Sequence, residues 1–323
     1  MTQSKGFLAS LDDLTVIRIT GADAIEFLHA QLSNDISGMG SDHARLAAYC
    51  NPKGRMLGNL VLWRETAAPD SPFLALAKAD ATEAMLKRLR MFVLRAKVNF
   101  EMASLKVYGV SQAVPTAPEG GDTAWALERQ GERVLITAPT GSDTLRRTWL
   151  VAGPESAPSS LAAELGLDLG NRAAWQAQDI QAGLGWVEQS NVELFIPQSL
   201  NYDLNGGVSF TKGCYPGQEV VARAHYRGAV KRRGMSAVCR LPDGQALQAG
   251  MDVFDAGRPN APAGRIINAA GLKAESGQDN TWHLFVEINL NDVGQVDFRA
   301  LSAEGPAIVL QPLPYSLEPG GGQ

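Results

Sequence analysis

Along the first hundred positions the hydrophobic residues switch between a period of two and a period near 3.6, so strands and helices alternate there. Residues 14–19, LTVIRI, are β-rich. Asp23 then opens AIEFLHAQL, which carries Ile25, Leu28 and Leu32 on one helical face. Asp23 and Glu26 stand at capping-box spacing. Residues 45–49 and 56–63 read as two strands around the turn Asn51-Pro52-Lys53-Gly54. Asp80 starts a second helix with Leu86, Leu89 and Val93, and a further helix over 171–181 carries Trp175 and Ile180. After Gly234 the helical pattern stops. Short β-type runs follow at 236–241, 252–255, 265–267, 282–290 and 307–310, separated by Pro, Gly, Asn and Asp. This order predicts an α+β fold with antiparallel sheets and a small C-terminal β-barrel.

Two stretches rich in Pro, Gly and Ser, 111–124 and 152–160, read as surface loops or joints. They divide the first part into regions near 1–105, 106–170 and 171–233, ahead of a C-terminal domain over 234–323. A chain of 323 residues exceeds what one hydrophobic core usually supports, which agrees with that division. Hydrophobic residues at 45% and charged residues at 20% exclude a largely disordered chain. No apolar run approaches the roughly 18 residues of a membrane-spanning helix. Asp12 and Asp13 interrupt the N-terminus before a signal-peptide core could form. Cys50, Cys214 and Cys239 are too few and too scattered for a disulfide framework. A reduced, cytoplasmic protein is expected.

The net charge of -5 is unevenly spread: from Gly234 onward there are 5 Lys+Arg and 10 Asp+Glu, which leaves 24 of each sign before it. Two windows concentrate cations. One holds Lys87, Arg88, Arg90, Arg95 and Lys97, the other Arg223, Arg227, Lys231, Arg232 and Arg233. A pI near 5.5 argues against a general nucleic-acid binder. Local windows can still hold a phosphate, a polyglutamate tail or a short RNA, or merely solvate a helix face.

The glycine-rich segment 206–219, GGVSFTKGCYPGQE, lets a backbone turn sharply or approach a ligand closely. Pro216 is placed to be the first residue of a helix through QEVVARA. Cys214 would then sit just before a helix N-terminus and beside Lys212, a setting that favours thiolate. A reactive cysteine and a small residue packed in a turn both fit this pattern. The familiar catalytic motifs are missing: no phosphate loop, HExxH, C-x-x-C or G-x-S-x-G occurs. Gly183-Leu184-Gly185 starts like a dinucleotide fingerprint, but Glu188 stands where the third Gly belongs. His225 is the histidine nearest Cys214, and nothing in the spacing makes the two a dyad. His29, His43 and His283 carry no signal, and a site built from the three cysteines would need tertiary coincidence.

Lys212-Gly213-Cys214-Tyr215-Pro216-Gly217-Gln218-Glu219 resembles the KGCYxGQE signature of YgfZ-type proteins, folate-binding relatives of the glycine-cleavage T-protein. The resemblance extends to Ile19-Thr20-Gly21-Ala22-Asp23, Phe27-Leu28, Asn51-Pro52-Lys53-Gly54-Arg55, Ile196-Pro197-Gln198 and Pro312-Leu313-Pro314-Tyr315. It implies a T-protein-like three-part fold with antiparallel sheets around a central folate pocket, ending in a β-barrel. Tetrahydrofolate or a one-carbon derivative is the implied cofactor. The implied role is assembly or repair of iron–sulfur clusters, including those of tRNA-modifying methylthiotransferases. Partners would be iron–sulfur enzymes or assembly proteins and, indirectly, tRNA.

A folate needs an aromatic wall, a carboxylate for the pterin's N–H edge and a cation for its glutamate tail. The resemblance places Trp175 at a folate-stacking position and Glu193 at the carboxylate that holds the pterin. Leu14 stands where a second aromatic would face the ligand. Arg223 and Arg227 are candidates for the tail. Cys214 and Lys212 are the candidates for chemistry, with Tyr215, Gln218 and Glu219 completing the signature. The T-protein carries paired acids after its strand turn, where this chain has Gly58 and Asn59, and neither can act as a carboxylate. A glycine-cleavage aminomethyltransferase is therefore disfavoured. A folate-dependent one-carbon transferase and a tRNA- or protein-binding module remain the alternatives.

Overall fold

The computed structural model describes residues 6–68, 70–114, 124–226, 230–274 and 279–317. Strands β1 (Gly6–Ser10) and β2 (Leu14–Thr20) precede helix α1 (Ala24–Gln31); β3 (Arg45–Cys50), β4 (Met56–Arg64) and β5 (Phe73–Lys78) lead into α2 (Ala79–Val93). Next come β6 (Asn99–Met102), β7 (Lys106–Ala113), β8 (Leu127–Gln130), β9 (Arg133–Thr137) and β10 (Leu145–Ala152). They are followed by α3 (Pro158–Leu165), β11 (Asp168–Leu169), α4 (Arg172–Gln181) and α5 (Gln218–Tyr226). The last part is built on strands, with a 3-10 turn at Leu290–Asp292: β12 (Arg232–Leu241), β13 (Asp252–Asp255), β14 (Pro262–Leu272), β15 (Asn280–Asn289), β16 (Phe298–Ala300) and β17 (Ile308–Gln311).

These strands form three sheets, ordered β3-β4-β5-β2-β6, β11-β1-β7-β10-β9-β8 and β16-β13-β14-β15-β12-β17. Every pairing is antiparallel except the short β1–β11 contact. The third sheet curls until its edge strands approach, with a bridge between Arg299 and Ala307. Its first strand starts at Arg232, just before the expected start at Gly234. None of the described helices is long and apolar enough to cross a membrane.

Alternation explains how the first sheet is buried on both faces. Ile17 and Ile19 of β2 pack under α1 and α2 with Phe27, Leu28, Leu86 and Leu89. Val16 of β2, with Val61 and Trp63 of β4, faces the opposite way. There they join Ile136 and Trp149 of the second sheet, Trp175 of α4, and Ile267 and Phe285 of the third. β4 is accordingly buried along its whole length. The place where three sheets share one core is the natural seat for a site.

Two local expectations are corrected. Asp23 occupies the N-cap of α1 without a side-chain capping bond. Its carboxylate instead accepts from the Lys97 backbone N–H at 2.7 Å, pinning the α2–β6 connection. The stretch 152–160, expected as a loop, contains the start of α3, with Pro158 in the helix's first turn as its fixed φ allows.

Candidate functional site

The glycine-rich segment packs across the end of α1. Ser33 Oγ donates to Gly207 O at 2.6 Å, Asn34 Nδ2 to Gly206 O at 2.6 Å, and Ser209 N to Ser33 O at 2.9 Å. Lys212 completes the attachment. Its ammonium donates to Leu32 O at 2.7 Å and to His29 O, carbonyls at the C-terminal end of α1 where a cation complements the helix dipole. It also lies 4.8 Å over the Tyr215 ring. Burial draws this lysine down to about 8, against the opposing influence of Asp35 and Cys214.

The helix expected to begin at Pro216 begins at Gln218. Gly217 has φ +82° and Gln218 N donates to Tyr215 O at 3.1 Å, so Tyr215-Pro216-Gly217-Gln218 is a type II turn with Pro and Gly at its two central positions. A Cβ on Gly217 would lie 2.5 Å from Asn51 O, and one on Gly54 (φ +72°) 2.9 Å from Val220 Cβ. Those two glycines let the signature loop seat against the Asn51–Gly54 turn. Cys214 therefore stands on a braced loop, apart from the helix N-terminus. It is exposed, whereas Cys50 and Cys239 are buried and their thiols are pushed up by burial to about 12 and about 11. His225 stacks on Phe210 at 3.8 Å.

Glu193 belongs to this same rim. It is exposed, has φ +63°, and accepts from Asn51 Nδ2 at 2.9 Å. Tyr215 is buried, Gln218 half-buried, and Glu219 and Arg223 are exposed on α5. Arg227 lies outside the described residues.

Leu14 and Trp175 are elsewhere, in the shared core. Leu14 is buried where β2 begins. Trp175 is fully buried. Its ring has the Arg147 guanidinium 4.1 Å from its centroid, Trp149 edge-on at 6.1 Å, and Gly109 so close that a Cβ there would meet Cε3 at 2.3 Å.

Beside these rings lies a polar network that sequence reasoning missed. Lys78 Nζ meets Asp13 Oδ2 at 2.6 Å and Glu188 Oε1 at 3.5 Å. Gln176 Nε2 donates to Asp13 Oδ2 at 2.8 Å, and Asn268 Nδ2 to Glu188 Oε1 at 2.8 Å. Trp186 Nε1 donates to Asp179 Oδ2 at 3.2 Å, and Asp179 is ion-paired with the buried Arg147. Burial opposes the charge on Lys78, yet Asp13 and Glu188 outweigh it and hold the ammonium above its ordinary value. Burial likewise opposes ionisation of Asp13, but Lys78 and Gln176 bring its carboxyl below the usual range. Asp179 is pushed up by burial in spite of Arg147. The signal was present: Lys78 is the one charged residue in FLALAK, a strand buried throughout.

The network lines a void of about 10 Å³ bounded by Lys78, Gln176, Asp179, Trp186, Glu188 and Asn268. Across the Arg147–Asp179 pair lies a cleft of about 440 Å³, lined by Trp125, Arg146, Arg147, Asn205 and Tyr315 among others. Among the described residues no group of three or more His, Cys, Asp or Glu is arranged to hold a metal ion.

No family model matches the chain. It is 31% identical to the tRNA-modifying protein YgfZ of Escherichia coli O157:H7 (strain EC4115 / EHEC) over 96% of this chain and 94% of that protein. The same protein from Escherichia coli K12 (strain DH10B) matches with the same identity and coverage. The chain belongs to the YgfZ family. Its fold is also that of the glycine cleavage system aminomethyltransferase T from Bartonella henselae, with a TM-score of 0.67 at 17% identity, over 97% of this chain and 87% of that one.

In this YgfZ-family chain Gly58 and Asn59 make structural contacts. A Cβ at Gly58 would stand 2.4 Å from Met85 Sδ, so α2 closes directly on the strand. Asn59 is buried, and its Oδ1 accepts from Val187 N at 2.8 Å. Of the second basic window, Arg233 is 3% exposed and bidentate on Asp203 at 2.8 and 2.9 Å, and Arg232 pairs with Glu287 at 2.9 Å.

Proposed function

We propose that this protein binds a tetrahydrofolate and acts as an accessory factor for iron–sulfur enzymes of tRNA modification. The observation that carries the reading is the signature loop: an exposed thiol, Cys214, on a backbone braced by Lys212 and by the Gly54–Gly217 contact. Membership of a family whose relatives are named for tRNA modification supports the biological setting.

The junction residues fit a pterin by chemistry. Trp186 offers a ring, Asp13 and Glu188 offer acceptors, and Asp13 Oδ1 is buried without a hydrogen-bond donor among the described residues. Asp13 and Glu188 would hold the pterin's N–H edge, and Lys78 would keep the Asp13 carboxylate charged. When bound, the folate would supply a one-carbon carrier. A void of about 10 Å³ has room for about one water, so a pterin would enter as the 3.5 Å Lys78–Glu188 contact opens.

Calorimetric titration with tetrahydrofolate tests this. Asp13→Asn and Glu188→Gln should each weaken binding by roughly tenfold or more, the usual loss for a hydrogen bond to a charged group. If Trp125→Leu abolishes binding while those two do not, the ligand occupies the 440 Å³ cleft instead. Wild-type protein that binds no tetrahydrofolate would sink the reading.

A further inference from the structure

The end of α2 presents an arrangement that the folate reading does not use. Residues 87–97, KRLRMFVLRAK, contain five cations and no acid. The helix buries Met85, Leu86 and Leu89 against the first sheet, which leaves Met91 69% exposed and Phe92 45% exposed. Leu94, at the C-cap, is 88% exposed. Helical spacing puts Lys87 beside Met91, and Arg88 beside Phe92. Met102, 53% exposed, lies on edge strand β6, on the face that Phe100 shares with the helices. One cation, Arg90, is held by the fold, donating to Phe100 O at 2.8 Å, and Arg88 is half-buried. Lys87, Arg95 and Lys97 are exposed, and their side chains pair with no carboxylate among the described residues.

Leu94 sharpens the point. Its φ is +46° and its ψ -101°, a positive-φ conformation outside the left-handed helical region that L side chains rarely adopt. The fold thus holds a large apolar side chain in a strained backbone and exposes it to water. Strain that buys the core nothing is an indication of use at a surface.

We propose that this patch docks a partner protein whose contact surface is apolar at its centre and acidic around it. Met, Phe and Arg are residue types enriched in protein interfaces, with apolar groups central and charges at the rim. The three unpaired cations define the partner's charge by complementarity and would speed its approach. A nucleic acid fits less well, because sequence-tolerant RNA binding relies on several stacked aromatic rings, and this patch has Phe92 alone. The proposal does not rest on folate binding.

The test uses the full chain and a synthetic helical peptide with a Leu/Phe stripe flanked by glutamates, beside a counterpart with lysines for glutamates. Only the acidic peptide should bind, more weakly as salt rises. Combined Lys87→Glu, Arg95→Glu and Lys97→Glu should weaken it roughly tenfold or more. Leu94→Gly should also remove binding without lowering the melting temperature, which separates docking from folding. Tetrahydrofolate binding should be unchanged in both variants. Four results would each overturn the proposal: no binding of the acidic peptide, equal binding of both peptides, an unmodified tRNA transcript that binds through these residues in the peptide's place, or a dimer in sedimentation that Leu94→Gly dissolves.

Discussion

Arg233 is 3% exposed with both terminal nitrogens on Asp203, whereas the side chains of Lys87, Arg95 and Lys97 stand in solvent and pair with no carboxylate among the described residues. As strings, both windows offer the same choice between a binding surface and a solvated helix face, with solvation favoured for the first. The acids that engage Arg233 and Arg232 of the second come from 30 residues away in Asp203 and 55 residues away in Glu287. Among the described residues no carboxylate pairs with the side chain of Lys87, Arg95 or Lys97, and Asp23 reaches only the Lys97 backbone N–H. A cluster of cations therefore declares its use only once the fold has delivered, or withheld, its counter-charges. Arg233 is engaged inside the molecule by Asp203, whereas Arg232 stays solvent-facing while paired with Glu287.

Breaking the inner pair should have the largest effect. Asp203→Ala leaves a buried guanidinium unpaired and should cost about 3–5 kcal/mol in a denaturant titration. A loss below about 1 kcal/mol would mean that Arg233 relaxes to solvent and the contrast fails. Leu94→Gly should move the other way, raising stability by about 1 kcal/mol as the strained C-cap relaxes. Arg232→Ala, at the solvent-facing member of the second window, should cost no more than about 1 kcal/mol. Reversing Lys87, Arg95 and Lys97 should change stability by about 0.5 kcal/mol or less, since nothing in the fold depends on their charge.

Lys212 extends the comparison to pH. Its folded value of about 8 lies below its ordinary 10.5, so between those values the unfolded chain binds more protons than the folded one. Stability should rise with pH across that window, and the rise should vanish in Lys212→Met. An identical slope in the variant would show that some other group is responsible.

Much of the site was legible because it is local. The turn at Asn51–Gly54 and the segment GGVSFTKGCYPGQE were read as sharp backbone, and the structure brings the two together through Gly54 and Gly217. The antiparallel α+β order followed from periodicity. What failed was reading past a turn: Pro216 looked like a helix start, but Gly217 takes a left-handed φ and delays the helix to Gln218. What was invisible was the junction network. Asp13, Lys78, Arg147, the 176–188 stretch with Asp179 and Glu188, and Asn268 come from five separate stretches of chain, so no window of sequence contains it. Trp175 was expected to face a ligand, and the fold sets it between Arg147, Trp149 and Gly109. As a wholly buried ring it makes a poor probe of binding, because Trp175→Ala would remove core packing as well.

The proposed function turns on the braced, exposed thiol of Cys214. The most direct measurement is the activity of iron–sulfur tRNA-modifying enzymes in a strain lacking this protein, complemented with wild type or with Cys214→Ala. The account predicts that Cys214→Ala accumulates as a folded protein with unchanged melting temperature and fails to restore that activity. Full restoration by Cys214→Ala would contradict it.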